Sequence, residues 1–98
     1  MQGQEAINRL RQGREILRAH GVRSLALFGS TARGDARSDS DVDVLVDLDD
    51  SRKFSLIDLS EIKFLIGDLV GARADIALRG RLRSGYRETI ERDAIPVF

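Results

Sequence analysis

Cysteine is absent from this chain of 98 residues. That excludes disulfides and thiolate metal sites and leaves the redox compartment open. No apolar run approaches the roughly 18–20 residues that a membrane helix needs, so no membrane span is expected. The N-terminus lacks the apolar stretch of a signal peptide, and a cytoplasmic location is the default expectation. Net charge is also missing, with 16 basic and 16 acidic side chains. A dedicated nucleic-acid-binding domain is usually basic, so that class is not expected. Histidine occurs once, as His20. Its place beside a glycine at an expected helix end suits capping or surface exposure better than catalysis.

Apolar residues make up 42% of the chain. That is enough for one domain with a modest core, spanning residues 1–98, and the length is too short for two. The charge that cancels overall is unevenly placed. Residues 1–34 carry six Arg against two Glu, residues 35–75 carry eleven acids against five basic side chains, and residues 76–98 carry five Arg against three acids. An acidic middle suits a cation, and basic flanks suit phosphates or an acidic partner.

Ile7, Leu10 and Leu17 recur at helical spacing and predict a helix over residues 4–19, ended by Gly21. Val22 to Phe28 reads as a buried strand. Thr31 to Ala36 reads as a short helix or turn starting from Ser30, with loop at Gly34-Asp35 and across residues 38–41. Val42 to Leu48 is the clearest strand. Val42, Val44, Val46 and Leu48 share one face, while Asp41, Asp43, Leu45 and Asp47 share the face that opens to a site. Leu59, Ile62, Ile66 and Leu69 predict the core stripe of a helix over 54–70, closed by Gly71. Ala74 to Leu78 is a third strand. Leu82, Tyr86 and Ile90 mark a last helix, with Tyr86 in the core and its hydroxyl outward. Residues 95–98 suit an edge strand, where Pro96 is tolerated. The expected fold class is α/β (α+β), a small mixed sheet of three to four strands with helices packed on it.

The chemistry gathers where the first strand meets the second. Gly29 lets the backbone turn sharply and approach a ligand. Ser30 adds a hydroxyl and a backbone N–H suited to an anion. After ten residues come Asp41 and Asp43, two carboxylates on one face of a strand. Magnesium takes hard oxygen ligands of this kind and completes its shell with water and substrate phosphates. Asp75 lies inside an otherwise apolar strand, which disfavours Asp and so asks for a reason. Three carboxylates on adjoining strands can hold two metal ions about 4 Å apart for in-line displacement at phosphorus. Asp75 can also accept the proton of the attacking group. Asp39-Ser40-Asp41 and Asp47-Leu48-Asp49 are competing D-x-D matches. Asp39, Asp41, Asp43 and Asp50 also fit an EF-hand spacing, but Val44 stands where that loop needs glycine.

The run Phe28-Gly29-Ser30, then Arg33-Gly34, then Ser38-Asp39 through Asp41-Val42-Asp43, resembles the minimal nucleotidyltransferase family of the DNA polymerase β-like superfamily. The superfamily pattern G-S-x(10)-D-x-D is matched without a gap. Asp75, on a strand after the long helix, matches the third carboxylate, and the resemblance covers nearly the whole chain. It implies the polymerase β-like fold and magnesium-dependent transfer of a nucleoside monophosphate to a hydroxyl, releasing pyrophosphate. It implies Asp41, Asp43 and Asp75 as the catalytic metal ligands, with two Mg2+ ions. Gly29 and Ser30 become triphosphate contacts, and Arg33 a residue near the phosphates of ATP. It further implies an antitoxin paired, as a hetero-oligomer, with a HEPN-type toxin that some members adenylylate.

Nothing in the chain resembles a second domain to hold a base or an acceptor. Two other function classes therefore stand beside the enzyme: a non-catalytic module that neutralises a toxin by covering it, and a transferase for a small antibiotic-type molecule. Arg79, Arg81, Arg83 and Arg87 are the candidate partner contacts, with a solvated loop as the plainer account.

Overall fold

The computed structural model describes residues 3–33 and 41–98. The elements in chain order are α1 (Gly3–Gln12), α2 (Arg14–Ala19), β1 (Val22–Leu27), α3 (Gly29–Arg33), β2 (Val42–Leu48), α4 (Leu56–Val70), β3 (Ala74–Leu78), a 3-10 turn (Arg79–Arg81), α5 (Ser84–Asp93) and β4 (Ile95–Pro96). The expected loop at Gly34-Asp35 and residues 38–40 lies outside the described residues.

The four strands form one mixed sheet in the order β3-β2-β1-β4. β1 pairs antiparallel with β2 and β4, and β2 pairs parallel with β3 through the crossover helix α4. Strand alternation sends Val42, Val44 and Val46 to one face, where they join Leu10, Leu17, Leu25, Leu27, Ile62, Ile66 and Val70 in the core. Two arginines of α1 fasten distant segments to that face. Arg9 Nη1 donates to the Val70 carbonyl at 2.9 Å, and Arg11 Nε donates to the Val97 carbonyl at 2.9 Å.

Three expectations need correction. The first helix is broken at Gly13, where a Cβ would lie 2.5 Å from the Leu69 side chain. The Gly13 backbone, at φ −95° and ψ 9°, leaves the helical geometry where α4 passes close by. The core stripe of α4 is Ile62, Ile66 and Val70, with Leu59 and Leu69 only half-buried at its margins. Tyr86 is 70% exposed rather than core, because α5 buries no residue completely.

α4 starts at a reciprocal cap. Ser55 Oγ accepts from the Asp58 N–H at 3.1 Å, and the Asp58 carboxylate accepts from the Ser55 N–H at 2.8 Å. The bond from the Ser55 N–H holds the Asp58 pKa below its ordinary 3.8, with the Ser55 hydroxyl contact adding to it. A carboxylate depressed in the folded state stabilises above its unfolded value and loses that contribution as pH falls through its folded one. Asp58→Asn is therefore expected to lower the melting temperature at neutral pH. The gap from the parent should close as pH falls below 3.8. Thermal melts across that range check it, and a gap constant with pH would contradict it.

Candidate active site

β2 carries Asp43 as its second residue, and Asp41 immediately precedes the strand. Alternation places both on the face opposite Val42 and Val44, about 7 Å apart along the strand. The parallel register pairs Asp43 with Asp75. Asp75 therefore stands beside Asp43 at the strand spacing of about 4.8 Å. Asp41 and Asp75 are exposed, and Asp43 is half-buried. The three carboxylates expected from the sequence are thus brought to one end of one sheet face.

The glycine turn is built onto the same strand. The Phe28 N–H donates to the Asp43 carbonyl at 3.1 Å. The Asp43 N–H donates to Thr31 Oγ1 at 3.2 Å. Gly29 opens α3 with φ at 62°, and a Cβ there would lie 2.5 Å from Asp43 Oδ2. Left-handed backbone and close approach both require glycine. Ser30 follows as the second residue of α3, and Arg33 ends it with its side chain exposed.

The competing D-x-D pair has structural employment. Asp47 Oδ2 pairs with Arg23 Nη2 at 2.9 Å across β1 and β2. Asp49 Oδ1 accepts from the Ser51 hydroxyl at 2.7 Å and the Ser51 N–H at 3.0 Å, which lowers its pKa. His20 Nδ1–H donates to the Ile16 carbonyl at 2.8 Å, the capping role expected of it. Two of the candidate partner arginines pair with Glu91 of α5. Arg79 Nε and Arg87 Nε lie 2.9 and 3.6 Å from Glu91 Oε1, and Arg81, Arg83 and Arg87 are exposed. Thr31 is a site-adjacent residue that sequence reasoning did not single out. The only hint is its place directly after Gly29-Ser30.

Among the described residues, no three His, Cys, Asp or Glu side chains converge tightly enough to hold one ion by themselves. The donor set still suits magnesium. All its groups are hard carboxylate oxygens, and magnesium is ordinarily held by one or two carboxylates with waters and phosphates completing the shell.

The sequence profile of the nucleotidyltransferase domain family matches residues 10–97, a span that includes Gly29, Ser30, Arg33, Asp41, Asp43 and Asp75. The chain belongs to that family. This nucleotidyltransferase is 37% identical over 84 residues to the protein adenylyltransferase MntA of Thermococcus cleftensis, covering 86% of this chain and 83% of that one. A solved structure assigned as a minimal nucleotidyltransferase superposes with a TM-score of 0.73 at 37% identity, covering 98% of this chain and 96% of the other. A toxin–antitoxin complex crystallised with AMP-PNP superposes with a TM-score of 0.73 at 16% identity, covering 94% of this chain and 72% of that one. At that identity the likeness speaks for the fold. The expected polymerase β-like nucleotidyltransferase fold is the one observed.

Proposed function

We propose that this nucleotidyltransferase moves AMP from ATP to a hydroxyl of a partner protein in a magnesium-dependent reaction. We propose further that the partner is a HEPN-type toxin, silenced as a result in the cytoplasm. The observation that carries the reading is the register of Asp43 beside Asp75, with Gly29 packed against the Asp43 carboxylate. The name of the Thermococcus relative supports protein adenylylation. The toxin–antitoxin neighbour with AMP-PNP supports a toxin partner and an adenine nucleotide.

Asp41, Asp43 and Asp75 would hold the magnesium ions, two by the chemistry of phosphoryl displacement. Bound there, magnesium supplies charge neutralisation at the phosphates and acidifies the attacking hydroxyl. Gly29 and Ser30 hold the triphosphate, and Arg33 lies near its phosphates. The hydroxyl oxygen of the acceptor forms a bond to the α-phosphorus as the bond from that phosphorus to the bridging oxygen of pyrophosphate breaks. Pyrophosphate leaves with that electron pair, and the hydroxyl proton passes to the Asp75 carboxylate.

Such transfer depends on positioning. In this reading the partner brings its own hydroxyl to the site. Exposed apolar side chains support protein association. Leu56, Ile57 and Phe64 of α4 are 81%, 71% and 74% exposed. Leu56 also lines a groove of about 390 Å³ with Leu48, Leu59, Ile76 and Leu78.

Intact-mass measurement of the partner, co-expressed with and without this chain, tests the reading. The partner should gain one or more AMP groups only when the chain is present. A tight complex with an unmodified partner would favour a covering module instead. Fast transfer to a free small molecule, with no protein modified, would favour the antibiotic-type activity.

A further inference from the structure

We propose that Thr31 is a positioning residue of this site, whose buried hydroxyl sets the magnesium dependence of nucleotide binding by fixing Asp43 against the glycine turn. The proposal rests on the reading of Asp43 as a magnesium ligand.

Thr31 is 2% exposed, and it is the one buried polar or charged side chain among the described residues. A buried hydroxyl is costly unless it is hydrogen-bonded, and this one bonds to the site. The reason lies in how the sheet ends. β1 stops at Leu27, opposite Val44, and the chain then turns away into α3. The Phe28 N–H still reaches the Asp43 carbonyl, as a ladder bond would. The next ladder acceptor is missing because the backbone has left the sheet. Thr31 Oγ1 takes its place and accepts from the Asp43 N–H at 3.2 Å. The peptide groups of Asp43 are thereby held at both ends by the turn that contains Gly29 and Ser30.

Two further contacts remove slack. Gly29 leaves no room between its backbone and Asp43 Oδ2. On the other side, α1 approaches so closely that a Cβ on Gly3 would lie 3.0 Å from the Thr31 carbonyl oxygen. Threonine is also stiff at χ1, so its hydroxyl is presented in few orientations. Without the hydroxyl, the start of β2 keeps the Phe28 bond but loses the one to α3, and the distance from the Asp43 carboxylate to the triphosphate turn is less tightly fixed.

The experiment compares the parent chain with Thr31→Val, Thr31→Ser and Asp43→Asn. The probe is the α,β-methylene analogue of ATP, titrated by calorimetry at a series of magnesium concentrations and also with EDTA. Valine keeps the shape and removes the acceptor; serine keeps the acceptor. Thr31→Val is expected to weaken magnesium-supported binding about tenfold, the worth of one well-placed hydrogen bond. It should raise the magnesium concentration needed for half-maximal binding and leave binding in EDTA unchanged. Thr31→Ser should stay within about twofold of the parent on both measures. Should Thr31→Val melt too early, Thr31→Ala compared with Thr31→Ser below both melting temperatures decides the same question. Parent-like magnesium dependence in the hydroxyl-free variants, or an equal loss in Thr31→Ser, would overturn the proposal. If the parent shows no magnesium-dependent binding, or Asp43→Asn binds as the parent does, the reading of Asp43 itself is wrong.

Discussion

Asp43→Asn should abolish magnesium-supported nucleotide binding and nucleotidyl transfer while the domain stays folded. Asn keeps the shape of the side chain and removes one ligand charge. Metal stabilisation of phosphoryl charge is worth several kcal/mol, and each ~1.4 kcal/mol is tenfold in rate. A loss of ~10²–10³-fold or more in transfer rate is therefore expected. Stability should hold, because Asn keeps the shape of the side chain at this half-buried position. Single-turnover rates with saturating magnesium and a thermal melt of the same sample check both halves. A variant that transfers at the parent rate would remove Asp43 from the site. One that unfolds would make Asp43 a structural residue.

Gly29→Ala should damage both the fold and the site. Alanine at a φ of 62° costs ~1–2 kcal/mol in backbone strain alone. Its Cβ would also sit 2.5 Å from Asp43 Oδ2, so either the turn or the carboxylate must move. A fall of several degrees in melting temperature is expected, at ~4–8 °C per kcal/mol for a domain of this size. Transfer should be lost with it, because the displaced group is the proposed metal ligand. Gly80→Ala is the control. It adds the same methyl group where nothing lies within 4 Å, and it should melt and react as the parent does. Equal behaviour of the two variants would contradict the close packing of Gly29 on Asp43.

Much of this arrangement was legible in the residues, for a physical reason. β2 alternates so cleanly that its two faces can be read from Val42-Asp43-Val44, and Gly29 announces a turn that no other residue takes without strain. The break at Gly13 was harder to read. Glycine in a helical pattern usually only weakens it, and the near contact with Leu69 of α4 comes from tertiary packing. The core stripe of α4 was misplaced towards Leu59 and Leu69, because a helix with apolar residues on several sides does not say which side the sheet will cover. The helical spacing of Tyr86 from Leu82 and Ile90 points to the core, yet α5 packs too lightly to bury it. At the site, the three carboxylates were visible one by one, but the register that sets Asp43 beside Asp75 is a property of strand pairing and not of spacing. Thr31 stayed unnoticed for the same reason: a threonine after a turn is ordinary until the sheet is seen to end opposite it.

The carboxylates at the head of β2 and β3 are proposed to hold magnesium for AMP transfer to a protein. The most direct test of this role follows two labels in one reaction. The purified chain and its co-purified partner are incubated with ATP labelled at the α-phosphate or at the γ-phosphate, with magnesium or with EDTA. The partner protein should acquire the α-label, the γ-label should be released as pyrophosphate, and EDTA or Asp43→Asn should stop both. Retention of the γ-label on the partner, or α-label transfer that survives EDTA and Asp43→Asn, would contradict it.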